Sequence, residues 1–89
     1  MYYIYVLFLK NKELYKGYTD NLERRMKEHN SGLVQATKYK RPLELIYHEA
    51  YHNKKDAIDR ERYFKTGWGR NYLRKVLKNY IEENKNPKI

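Results

Sequence analysis

With 89 residues, the chain has room for one domain with a modest core and none for a second domain. Lysine and arginine number 20 against 11 acids, a formal charge of +9 spread along the chain, so an anionic partner is expected on a folded basic surface. No cysteine is present, which excludes disulfides, thiolate metal sites and thiol nucleophiles and fits a reducing compartment.

Tyr2 to Leu9 is aromatic and β-branched on both faces and reads as a central strand. It is too short to cross a bilayer and lacks the charged start and cleavage site of a signal peptide, so the expectation is a cytoplasmic protein with no membrane partner. Asn11 marks a turn, and Leu14 to Thr19 returns as the second strand of a hairpin, with Gly17 inside it as a place for a backbone bend or a close ligand approach. Tyr5 and Tyr15 share a sheet face if the loop is the three residues Lys10 to Lys12; a two-residue loop separates them.

Asp20 and Glu23 stand at capping-box spacing, and Leu22, Met26 and His29 follow at helical intervals until Ser31 and Gly32 stop the helix. Leu33 to Arg41 reads as a basic loop with few core residues, ended by Pro42; Leu43 to Tyr51 is the third strand. Asn53 caps a second helix with Ala57, Ile58, Glu61 and Phe64 on one face. Gly67 and Gly69 break it around Trp68. A third helix carries the apolar stripe Tyr72, Leu73, Val76, Leu77, Tyr80 and Ile81, and 84–89 form a frayed tail. The expected fold is α+β, a three-stranded antiparallel sheet flanked by helices in the order β-β-α-β-α-α, as one domain over 1–83.

Glu61 is a carboxylate on the core-facing side of its helix, where it needs a partner. It suits a hard cation that keeps waters and a substrate phosphate; the alternative is an ion pair with Arg25 or a lysine. Arg25 faces the sheet from the first helix, placed either to grip a phosphate bidentately or to snorkel to a surface carboxylate, while Arg24 faces solvent. Tyr5 and Tyr15 are core aromatics singly; as a pair converging near Arg25 and Glu61 they offer a hydroxyl for proton transfer from an attacking water. His29 is a candidate to orient water, contact phosphate or assist that transfer, set against an ordinary role at a helix end. Lys38, Lys40 and Arg41 in the loop, with Arg70, Arg74, Lys75 and Lys78 at the last helix, are the candidate backbone-tracking cations, against a plain solvated face. Trp68 either stacks on a base or, as expected here, anchors the turn between the C-terminal helices. No Gly-rich phosphate loop, paired-histidine zinc spacing or serine elbow is present.

In order along nearly the whole chain, Tyr3-Ile4-Tyr5, Tyr15-Lys16-Gly17, Arg25 within Leu22-Glu23-Arg24-Arg25, His29 one turn later and Glu61 on the helix after the third strand resemble the GIY-YIG nuclease domain. The likeness is to its small stand-alone members, related to the nuclease half of the excision-repair incision subunit. Tyr3 replaces the first motif's glycine and Lys16 the second motif's isoleucine; Asn71 is the candidate counterpart of the family's late asparagine. The resemblance implies a one-metal phosphodiester hydrolysis site made by Tyr5, Tyr15, Arg25, His29 and Glu61. In it Glu61 holds Mg²⁺ or Mn²⁺, Arg25 contacts phosphate and a tyrosine activates water. The implied function is a DNA endonuclease, structure-directed or weakly specific, in repair or recombination, with a protein partner as one source of targeting. The alternative is a non-catalytic module that binds DNA or structured RNA.

Overall fold

Residues 1–84 are described by the computed structural model; 85–89, nearly all of the expected tail, lie outside the described residues. β1 (Tyr2–Phe8) is the middle strand of an antiparallel sheet ordered β2-β1-β3, with β2 at Leu14–Thr19 and β3 at Glu44–Tyr51. Its central residues Ile4, Tyr5, Val6 and Leu7 are all buried because layers cover both faces, as the two-sided apolar run demands. Burying a large apolar side chain is worth about 1.5–3 kcal/mol, so β1 ties together two cores that neither layer makes alone.

The hairpin loop is Lys10 to Lys12, closed by Leu9 N–H donating to the Glu13 carbonyl at 2.9 Å, with Lys12 in the left-handed region at φ 70°. α1 (Leu22–Asn30) packs Leu22 and Met26 on the face of Tyr5, Leu7 and Leu9. Its cap is Asn21, whose side chain accepts from Arg24 N–H at 3.0 Å, not Asp20 as the capping-box spacing suggests. Thr19 Oγ1 accepts from Asn21 N–H and moves the cap one residue on; Asp20 pairs with Arg24 at 2.8 Å. At the other end of α1, Ser31 caps and Gly32 takes φ 77°.

α2 (Lys54–Phe64), capped by Asn53, lies on the opposite face, where Ala57 and Phe64 join Ile4, Val6 and Leu73 in the larger core. A bulge between Val6 and Leu7 lets Tyr47 face α2 while Leu45 faces α1. Glu49 locks this layer, accepting from Arg60 at 2.8 and 3.2 Å and from the Tyr47 and Tyr51 hydroxyls. The Arg60 guanidinium also lies 4.7 to 4.9 Å from the Phe64, Tyr72 and Tyr63 ring centroids.

The expected third helix is two, α3 (Gly67–Val76) and α4 (Lys78–Asn84), separated at Leu77, so the element order is β-β-α-β-α-α-α. Trp68 does not anchor the turn before α3; it is 79% exposed. Gly69 replaces it in that role, since a Cβ there would stand 2.1 Å from the Tyr63 carbonyl oxygen, and only a bare backbone lets α3 close on α2. Among the described residues no helix is long and apolar enough to cross a membrane.

Candidate active site

The hairpin register pairs Tyr5 with Gly17 and Leu7 with Tyr15, which puts both tyrosines on the α1 face, their ring centroids 6.2 Å apart. Tyr5 reaches across the sheet because Gly17 has no side chain: a Cβ there would sit 2.3 Å from Tyr5 Cζ and 2.4 Å from its hydroxyl. α1 then supplies two partners one turn apart. His29 Nε2 is 2.8 Å from the Tyr5 hydroxyl, and Arg25 Nε donates to the same oxygen at 3.3 Å. Tyr15 closes the cluster with its ring 5.3 Å from the imidazole, edge to face.

Beyond His29 the chain of hydrogen bonds continues to Thr37, whose Oγ1 is 2.8 Å from Nδ1. His29 and Thr37 are both 0% exposed. The loop expected to hold few core residues therefore contributes two, Val34 and Thr37, and is tied down by Arg41, which donates to the Lys38 and Asn30 carbonyls at 3.0 and 3.1 Å. Thr37 was not singled out by the residues alone, because a lone threonine in an aperiodic loop carries no spacing signal. Arg25 can only donate, so the Tyr5 oxygen accepts from it; the Tyr5–His29 bond runs in whichever direction the imidazole tautomer sets, with Thr37 answering at Nδ1.

Burial, and then the Arg25 charge, push the His29 imidazole down to about 4, so the ring is neutral across the physiological range. Burial pushes the Tyr5 phenol up to about 12, with the Arg25 hydrogen bond working the other way. Arg25 is held above its ordinary value, first by its bond to Tyr5 and also by Glu28, which it meets at 2.9 Å. Arg25 and Glu28 line an open groove of about 270 Å³ with Tyr18, Thr19, Asp20, Arg24 and Lys54, where the exposed edge of β2 brings the start of α2 beside α1.

Glu61 stands on α2, in the layer on the other side of the sheet. It is ion-paired with Lys65 at 3.2 Å, its side chain 20% exposed, and no ion pair joins it to Arg25 among the described residues. Nor do three or more His, Cys, Asp or Glu side chains gather into a metal cage among those residues. A single accessible carboxylate nevertheless matches the open manner in which Mg²⁺ is held, with water and substrate phosphate completing the shell.

The candidate phosphate-tracking cations divide by surroundings. Lys40 is paired with Glu13 at 3.3 Å, Lys38 lies 4.9 Å over the Tyr39 ring, and Arg41 is committed to the loop carbonyls. Arg74, Lys75 and Lys78 are exposed along α3 and at the start of α4; Arg70 is half-buried and donates to the Lys65 carbonyl at 3.0 Å. Asn71 is exposed on α3.

A family model described as the GIY-YIG catalytic domain matches residues 1–74. A UPF0213 protein of Bacillus pumilus is 42% identical over 83 residues, 92% of this chain and 80% of the relative. The UPF0213 protein YazA of Bacillus subtilis is 40% identical over 88 residues, 98% of this chain and 84% of its own. Among solved structures, the solution NMR structure of a UPF0213 protein from Bacillus halodurans aligns with TM-score 0.55 at 30% identity over 85% of each chain.

Proposed function

The chain belongs to the GIY-YIG catalytic-domain family, and from that premise we propose that it is a metal-dependent endonuclease hydrolysing DNA phosphodiester bonds. The observation that carries the reading is the sealed row Tyr5–His29–Thr37 with Arg25 on the same Tyr5 oxygen. A core needs no such row. It holds a neutral imidazole and a fixed guanidinium beside Tyr15, the half-buried tyrosine that water can reach.

In this reading Arg25, its Nε fixed by Tyr5 and its Nη1 paired with Glu28, turns its remaining N–H groups to the phosphate in the groove it lines and stabilises the charge that builds during displacement. Tyr15, once its own hydrogen has gone to bulk water, takes a proton from the attacking water. Tyr5, held by Arg25 and the neutral His29 ring, does not titrate in this step; it fixes the position of the arginine and packs beside Tyr15. Glu61 would hold the divalent cation, Mg²⁺ or Mn²⁺, after yielding its pairing with Lys65, and the cation when bound supplies further charge neutralisation at the phosphate. Recognition in this reading is of backbone and structure, through the basic surface, which fits a role in repair or recombination.

The test is cleavage of supercoiled plasmid and of a branched duplex with Mg²⁺ or Mn²⁺, with Glu61→Gln as control. The expected outcome is nicking that Glu61→Gln reduces by at least about a hundred-fold, in the range found when a charge-stabilising group is removed. Activity equal in both proteins rejects the assignment. Salt-sensitive binding with no cleavage in either leaves a non-catalytic nucleic-acid-binding module instead.

A further inference from the structure

Lys16 stands where the second motif has an apolar residue, and its pairing with Val6 sends its side chain to the α2 face, away from Tyr15. Two more cations are gathered there. Lys65 follows the end of α2, and Arg70 Nη1 donates to the Lys65 carbonyl at 3.0 Å. Lys16 faces this layer by its register, and burial, then the charges of Arg70 and Lys65, pull its ammonium below its ordinary value. Glu61 answers Lys65 at 3.2 Å. Positive charge is left over beside the candidate metal carboxylate.

Between Lys65 and Arg70 in the chain stands Trp68, 79% exposed. An indole left in water contributes nothing to the core, and the α2–α3 contact is built without it from Phe64, Tyr63, Tyr72 and the bare backbone of Gly69. An exposed aromatic face three residues after Lys65 and two before Arg70 matches a base with its flanking phosphates. A base inside a duplex has both faces covered by its neighbours, so a protruding indole can stack only on one that is unpaired.

We propose that Trp68, with Lys16, Lys65 and Arg70, forms a stacking platform for an unpaired base of DNA adjoining Glu61, so that this protein selects single-stranded or branched substrates. The proposal deepens the nuclease reading and rests on it for the neighbouring scissile phosphate. Trp68 is the one tryptophan in the chain, so its emission reports on this patch alone.

The experiment uses the full chain carrying Glu61→Gln, in EDTA at low salt, titrated with a short oligothymidylate and separately with a blunt hairpin duplex, while anisotropy of a labelled copy of each strand reports binding. Oligothymidylate is expected to quench Trp68, whereas the duplex binds without quenching. Trp68→Leu, exposed and therefore safe for folding, is expected to lose about ten-fold in oligothymidylate affinity and none for the duplex, within the usual worth of one stacked base. Bound oligothymidylate with unchanged emission overturns the platform, as does full affinity in Trp68→Leu or failure of the oligonucleotide to bind. Plasmid cleavage by the unsubstituted protein is read separately: cleavage without quenching rejects the platform alone, and quenching without cleavage supports the platform while rejecting hydrolysis.

Discussion

His29 is sealed between Tyr5 and Thr37 at 0% exposure, and burial followed by the Arg25 charge lowers its pKa from 6.5 to about 4. Between those values the unfolded chain binds a proton that the folded ring refuses. Stability is therefore level above the unfolded value and falls as pH drops through the window, by up to about 1.4 kcal/mol per pH unit. Urea midpoints taken across that window should fall in this way, and His29→Asn should flatten the curve; an equally steep loss in the variant rejects the account. Glu49 is separable. Burial works to raise its carboxyl, but donation from Arg60, Tyr47 and Tyr51 outweighs it and holds the group below 4.5, so its own loss of stability begins only below that value. Gly17 is the second residue whose effect is local and large. Gly17→Ala drives a Cβ into Tyr5 at 2.3 Å, where His29, Arg25 and Tyr15 leave the ring no room to retreat. Overpacking of this kind costs about 1–3 kcal/mol, and cleavage should fall with it; unchanged melting and activity would show that the ring can yield. Gly17 was legible in the sequence as a special point inside a strand, read there as a bend or a place for a ligand; what comes close is the Tyr5 ring. Thr37 was not, since its partner is brought to it only by the folded loop.

At the scale of elements, the junction of α2 and α3 separates two glycines that look alike in sequence. A Cβ on Gly69 would stand 2.1 Å from the Tyr63 carbonyl oxygen and 2.5 Å from Phe64 Cα, both backbone atoms that cannot turn aside. Gly69→Ala should cost about 3 kcal/mol, the upper end of ordinary overpacking, by prising α3 from the larger core. A Cβ on Gly67 would meet only Arg70 Nη2, at 3.9 Å, so Gly67→Ala should be neutral or gain up to about 1 kcal/mol from helix propensity. Paired thermal melts decide the matter: equal effects at both positions would mean that the tight crossing is not what fixes the junction. The strands, α1 and α2 follow from local patterns, because two-sided burial of β1, the asparagine at the start of α2 and the Ser31-Gly32 stop each act within a few residues. The division of the last helix does not. Neither glycine nor proline stands at Leu77, and the apolar stripe from Tyr72 to Ile81 runs through it without a change of period. Trp68 misleads for a related reason: a tryptophan between glycines reads as a buried anchor, and only the folded backbone shows that Gly69 makes the α2–α3 contact while the indole stays in water.

Across the whole molecule, the sheet divides the candidate site into two layers. Tyr5, Tyr15, Arg25 and His29 belong to the α1 side; Glu61, Lys16, Lys65 and Arg70 belong to the α2 side. The strand alternation and helix periods made each residue's inward tilt readable, but not that the tilts come from opposite faces, since that depends on which layer each helix joins. A polyanion engaging both sets must pass the edge of β2, where the open groove lies, and the net charge of +9 draws it to the protein as a whole. The cations should then contribute unequally. Each phosphate neutralised on a single strand contributes about 0.7 to the slope of log affinity against log salt. Arg70→Gln removes a cation that stands with Lys16 and Lys65 and should lower the oligothymidylate slope by about that amount. Lys40→Gln removes an ammonium already answered by Glu13 at 3.3 Å, so its effect on the slope should be smaller. Anisotropy titrations of the two variants over a series of salt concentrations make the comparison. Equal slope changes would mean that bound DNA feels only the total charge, whereas a larger change for Arg70→Gln locates the strand on the α2 side of the β2 edge, within reach of the Glu61 carboxylate.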